Sequence, residues 1–177
     1  MKILERWVMF HMVEDQDKYI YGYKCFNSDM TNRYGGKFEL GKVYSTNGKV
    51  RFGNNGNGFH FCKNIEDTLR YFDAKDDEAK ICVVRGFGEF VLEEDDYNGY
   101  YDMFSIENME IVKILSREEI INIALNLNEL RVCRFIQCFK LNDDEIELFK
   151  EKFNKNRIVH KYIEYYQIGN KDAFKHM

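Results

Sequence analysis

Two hydrophobic patterns divide this chain, and the change between them at Ser116 constrains the fold more than any other feature. Before Ser116, apolar and polar residues alternate, as in Lys18–Phe26, where every second residue from Tyr19 to Cys25 shares one face. A period of two indicates half-buried β-strands. After Ser116 the apolar spacing is helical. We therefore predict an α+β fold, with a β-rich domain at 1–115 and a helical C-terminal region at 116–177 packed on it.

Within the β-rich part, the pattern predicts a small, mostly antiparallel sheet with one internal helix. Lys37–Tyr44 is a predicted strand with Phe38 and Leu40 facing inward, and Phe59–Cys62 is a short one. The helix is predicted at Ile65–Phe72, directly after an asparagine that suits an N-cap. The C-terminal region is predicted to hold four short helices, because helix-start patterns recur along it.

Composition excludes several classes of protein. Hydrophobic residues make up 45% and charged residues 32% of the 177 residues, which is typical of a folded chain rather than a disordered one. The formal net charge of −4 comes from the part before Ser116 and argues against direct DNA binding, which needs a basic face. No apolar run is long enough to span a membrane. The five cysteines include no Cys-x-x-Cys pair, so we expect free thiols, no metal site and a cytoplasmic location.

Three motifs in the β-rich part resemble those of a known domain. They are Tyr21–Phe26 (Tyr-Gly-Tyr-Lys-Cys-Phe), Gly41–Tyr44 (Gly-Lys-Val-Tyr) and Gly58–Asn64 (Gly-Phe-His-Phe-Cys-Lys-Asn). Together they are similar to an uncharacterised domain found mainly in phage and prophage genomes, over roughly residues 19–115. The resemblance implies a protein encoded by a virus or mobile element, and small proteins of that kind often antagonise host defence. It implies no activity.

His60 is the first candidate for chemistry, because it follows a glycine-rich loop and its pKa normally lies near neutrality. An ADP-ribosyltransferase-like enzyme would combine it with Tyr23 or Lys24 and with Glu89, whose carboxylate would stabilise an oxocarbenium-like sugar. The Ser-Thr-Ser type of middle motif is absent, and Phe87 stands where a paired acid is expected. The simpler alternative is a structural histidine beside a tight turn.

Acidic and aromatic clusters are the candidates for binding. The β-rich part contains two acidic runs, and tyrosines follow the second run. This composition suits a protein-binding patch, a mimic of nucleic-acid phosphates, or solvated loops. The predicted binding residues are Asp76, Asp77, Glu78, Glu93, Glu94, Asp95, Asp96, Tyr97, Tyr100 and Tyr101.

These observations lead to one function and one alternative. The first is a non-enzymatic phage or mobile-element protein that binds and inhibits a host factor, such as a CRISPR effector, and needs no cofactor. Its partner would be a host protein or ribonucleoprotein complex in the host cytoplasm. The helices after Ser116 suit a homodimer interface as well as a partner-docking face. The alternative is an ADP-ribosyltransferase-like enzyme that modifies a host target.

Overall fold

The alternating pattern of the first part forms five strands. The computed structural model describes residues 19–52, 56–71, 79–93, 103–171 and 173–174. The strands are β1 (Ile20–Phe26), β2 (Val43–Ser45), β3 (Phe59–Cys62), β4 (Lys80–Glu93) and β5 (Met103–Ile114). All the strand pairs are antiparallel.

The strands close into a small barrel. The sheet order is β2-β5-β3-β1-β4, and β4 also pairs with β5, so that β1, β3, β5 and β4 form a ring. The long β4 strand makes this closure, because its first half pairs with β1 while its whole length follows β5. The β4–β5 register shifts between Phe87 and Phe90, where Gly88 has a φ of +90° that favours glycine.

Each face of β1 packs into a different apolar cluster. Gly22, Lys24 and Phe26 face the inside of the barrel, where Phe26 joins Phe61 and Ile106 in the inner cluster. Tyr23 and its alternating neighbours face the other way. The outer cluster joins that face to the C-terminal helices through buried Phe135, Phe149, Val159 and Ile163. The helical region therefore packs directly on the sheet.

Five helices are described, one inside the β-rich part and four after it. They are α1 (Ile65–Thr68), α2 (Arg117–Ala124), α3 (Glu129–Cys138), α4 (Asp143–Lys152) and α5 (Arg157–Tyr162), which continues into a π-helical segment at Ile163–Ile168. The predicted capping box at the start of α2 is present, since the Ser116 side chain accepts from the Glu119 amide while the Glu119 side chain accepts from the Ser116 amide. This capping box explains why α2 begins directly after Ser116.

Two buried acids tie α1 to α3. Glu66 and Asp67 are each only 1% exposed. Arg131 Nε lies 3.2 Å from Glu66 Oε1, and Arg134 Nη1 lies 3.7 Å from Asp67 Oδ1. Asn64 Nδ2 donates to the other Asp67 oxygen at 2.8 Å instead of its side chain capping the helix. Burial raises the pKa of both carboxyl groups above their usual values, so the arginines offset only part of the desolvation.

The α+β prediction is confirmed, whereas two element predictions need correction. The strand predicted at Lys37–Tyr44 forms only at its end, as β2; Phe38 is buried as expected, but Leu40 is 57% exposed and makes one isolated bridge to Ile111. The internal helix ends at Thr68 rather than Phe72. The boundary predicted at residue 115 stays a prediction, since the outer cluster joins both sides of it.

Candidate functional site

A cavity of about 270 Å³ opens where β1 and β3 meet the end of α1. Its wall comes from β1, the loop that follows it, β3, the end of α1 with the turn after it, and Met103 at the start of β5. Its polar side chains are Lys24, Asn32, Arg33, Tyr34, His60, Thr68 and Tyr71, and Phe61 adds a further ring. Within the described ranges, no carboxylate lines this cavity. It is therefore suited to a ligand that carries negative charge.

Lys24 is the central cation of the cavity. The alternation of β1 places it on the barrel-facing side, and its ammonium donates to the carbonyl oxygen of His60. The same ammonium lies 5.8 Å from the centre of the Phe26 ring. Burial, with a smaller contribution from the nearby charge of Arg33, lowers the pKa of Lys24 to about 8. The negative charge of a bound anion would stabilise the protonated form of Lys24 and so raise its pKa again.

Arg33 is held on the loop that follows β1. The Asn32 side-chain oxygen accepts from the amides of Tyr34 and Gly36, both at 2.9 Å, which folds this loop into a tight turn. The Arg33 guanidinium donates to the carbonyl oxygen of Tyr71. This bond joins the loop to the turn after α1, so the two rims of the cavity are linked through a cation.

His60 lies in the same cavity, and its ring stacks on Phe52 with centroids 5.1 Å apart. Its Nε2 atom is buried and has no hydrogen-bond partner among the described residues. Burial and the charge of Lys24 lower its pKa below the usual value, so the imidazole is neutral at pH 7. The histidine that the sequence indicates as a candidate for chemistry therefore lines a cavity.

The cysteines beside the cavity are poor nucleophiles and poor metal ligands. Cys25 and Cys62 line its floor, and burial raises the pKa of each thiol to about 12. The thiolate is the reactive and metal-binding form, so both side chains behave as small apolar residues. No group of three or more His, Cys, Asp or Glu side chains in the described part of the chain is arranged to hold a metal ion.

The other two residues of the predicted enzyme site lie away from the cavity. Tyr23 is on the outer face of β1, where burial and then the charge of Glu66 raise its pKa. Glu89 is exposed on β4, and β5 lies between that part of β4 and β3. Its amide donates to Glu107 Oε2 at 3.1 Å. The fold thus brings His60 to a cavity without Tyr23 or Glu89.

Of the ten predicted binding residues, Glu93 ends β4. The remaining nine lie outside the described residues: Asp76, Asp77, Glu78, Glu94, Asp95, Asp96, Tyr97, Tyr100 and Tyr101.

Sequence reasoning named Lys24 only as an alternative to Tyr23 in an enzyme site, and it missed Arg33. Lys24 carried a usable signal, because a lysine that alternates with Gly22 and Phe26 on one strand face must point toward apolar surroundings. Arg33 carried no such signal in the sequence, because only the folded loop brings it to the turn after α1.

Comparison with known families gives one match. The family of a domain of unknown function, DUF7666, matches residues 20–123, which includes the whole sheet and the larger part of α2. No curated protein and no solved structure matches the chain. Within the described ranges, no helix has the length and apolar character needed to cross a membrane.

Proposed function

This chain belongs to the DUF7666 family, and from that premise we propose that it binds a small organic anion of the nucleotide class in the cavity beside Lys24. The observation that carries this proposal is the pairing of two cations, Lys24 and Arg33, in a lining that holds no described carboxylate. Each cation interacts with a carbonyl oxygen instead of an acid. Charge-assisted bonds to a phosphate would be stronger than either of these.

The size and the walls of the cavity support a ring-bearing anion. Its volume of about 270 Å³ is just below the usual range for ligand sites, so it suits a mononucleotide better than a larger cofactor. Tyr34 and Tyr71 line it and are 85% and 45% exposed, which leaves ring surface to stack on a base. Asn32 adds an amide that can read a base edge or a sugar hydroxyl.

A nucleotide site would serve the alternative function, transfer of an ADP-ribose group. The transfer chemistry itself stays a prediction, because Glu89 and Tyr23 do not line the cavity. Inhibition of a host factor is the other proposal, and phage origin belongs with it. Its support within the described residues is the exposed apolar run Phe90–Leu92, which leads into the second acidic segment.

Replacing Lys24 with methionine tests the proposal. We expect Lys24→Met to weaken the binding of nucleoside monophosphates roughly 10- to 100-fold, because a charge-assisted hydrogen bond to phosphate is lost. Isothermal titration calorimetry with AMP, GMP, CMP and UMP measures this, with the uncharged nucleosides as ligand controls. Lys42→Met is the matched variant, since Lys42 pairs with Glu39 on the surface. Equal affinity for nucleotide and nucleoside, or no loss in Lys24→Met, would disprove the proposal.

The affinity should also depend on pH in a defined direction. Because Lys24 has a pKa of about 8 before ligand binds, its charge is lost as the pH rises through that value. The phosphate is already a dianion above pH 7, so the change comes from the protein. We expect affinity to fall above about pH 7, by up to roughly tenfold per pH unit. Lys24→Arg keeps its charge and should give a flat profile from pH 7 to 9.

A further inference from the structure

Lys24 also meets the structural conditions for a nucleophilic amine. Its ammonium group lines a cavity, lies beside the apolar Phe26 ring, and is anchored by a single hydrogen bond to the His60 carbonyl. No carboxylate of the described residues forms an ion pair with it. Lysines that react with carbonyl compounds are typically desolvated in this way or placed next to another cation. Here both conditions hold, since Arg33 is the second cation.

We propose that Lys24 forms an imine with the aldehyde or ketone group of an anionic ligand bound in this cavity. This inference rests on the proposed function, because it requires that the cavity binds a small anion. It names a narrower ligand class: a phosphate-bearing carbonyl compound, such as an open-chain sugar phosphate or a nucleotide-derived sugar in its aldehyde form.

The protonation state of Lys24 permits this chemistry near neutral pH. Before an anion binds, the pKa of Lys24 is about 8 and roughly a quarter of the amine is neutral at pH 7.5. An ordinary surface lysine, with a pKa near 10.4, would be neutral in only about one molecule in a thousand at that pH. The two cysteines that line the cavity do not compete, because their thiols stay protonated.

The step balances without an oxidant or a reductant. The lone pair of the neutral Lys24 nitrogen attacks the carbonyl carbon, and a proton moves from nitrogen to oxygen to give a carbinolamine. Loss of water then forms the carbon–nitrogen double bond. Water and the phosphate of the ligand can carry these protons, so the step needs no further side chain. Arg33 remains charged throughout and holds the phosphate.

Trapping with pyridoxal 5′-phosphate and borohydride tests this inference. The probe has an aldehyde, a ring and a phosphate, and borohydride reduces its imine to a stable amine. We expect one equivalent of adduct at Lys24 by peptide mass spectrometry, at least tenfold above the adduct at surface lysines such as Lys42. Lys24→Arg should lose the adduct while Lys42→Arg keeps it. Circular dichroism confirms that both variants are folded.

A second ligand separates failure of this inference from failure of the proposed function. Pyridoxine 5′-phosphate has the same ring and phosphate but no aldehyde, and its binding is measured by calorimetry. Binding of this compound and its competition against trapping at Lys24 support both proposals. Binding without selective trapping overturns the imine and leaves the anion site standing. Absence of both binding and trapping overturns the imine, and it overturns the anion site as well when AMP, titrated in the same way, also fails to bind.

Discussion

Arg131→Met is expected to lower the free energy of unfolding by about 2–3 kcal/mol at pH 8. Removing one partner of a fully buried ion pair costs about 3–5 kcal/mol, because the other charge stays buried without compensation. The expected loss is smaller here, since the Arg131 side chain is 40% exposed and partly screened by solvent. Its partner Glu66 is 1% exposed, and neither of its carboxylate oxygens has a hydrogen-bond partner among the described residues. Urea unfolding measures the difference.

The loss should shrink as the pH falls. Burial raises the pKa of Glu66 in the folded state, while Arg131 acts in the opposite direction and lowers it. A carboxyl group with a raised folded pKa stabilises the protein fully below its unfolded pKa, and that stability is lost as the pH rises through the folded pKa. Removing Arg131 moves the folded pKa of Glu66 higher still. We therefore expect a large deficit for Arg131→Met at pH 8 and little deficit near pH 4, where Glu66 is neutral in both states.

The matched control for this prediction replaces Glu66, the partner of Arg131, with a neutral residue. Glu66→Gln removes the buried charge, so adding Arg131→Met to it should cost less than about 1 kcal/mol. Additive losses in the double variant, or an Arg131→Met deficit that is the same at pH 4 and pH 8, would show that Arg131 acts by packing its methylene groups rather than by pairing with Glu66.

This ion pair also illustrates which parts of the fold could be predicted. The two faces of β1 and the start of α2 follow from local rules, because alternation and a capping box involve residues a few positions apart. Glu66 and Asp67 followed the N-cap pattern of a helix, which predicts solvated acids in the first turn. Their burial depends on α3, some sixty residues later in the chain, and no local rule contains that contact.

The candidate site also has one part that local sequence predicts and another that depends on the fold. His60 was identified from its position after a glycine-rich loop, and it does face a cavity. The grouping of Lys24, Arg33 and Tyr71 around it depends on the closed barrel, in which β1 and β3 become neighbours although a loop and β2 separate them in the chain. The sequence predicts two separate strands, Ile81–Val84 and Phe87–Leu92, where the long β4 strand closes the barrel, because Gly86 and Gly88 interrupt its apolar pattern.

Gly22→Ala tests whether the approach of β1 to β3 builds this cavity. A methyl group at Gly22 would lie 2.5 Å from a ring carbon of Phe61 and closer still to the carbonyl oxygen of Cys62. Alanine normally improves a strand that holds glycine. Here we expect a loss of about 2–3 kcal/mol in the free energy of unfolding, because the backbone cannot move aside as a side chain can.

Gly36→Ala is the control for this prediction. Its methyl group would meet only the Asn32 amide, at 3.3 Å, on an exposed loop of the cavity rim, so it should change the free energy of unfolding by no more than about 0.5 kcal/mol. Because the only described β1–β3 register pair is Tyr23 with Cys62, forcing the strands apart there should also weaken AMP binding in whatever protein remains folded. Equal stability of the two variants would mean that β1 and β3 can separate without cost, and the cavity between them would then lack the rigidity that an anion site requires.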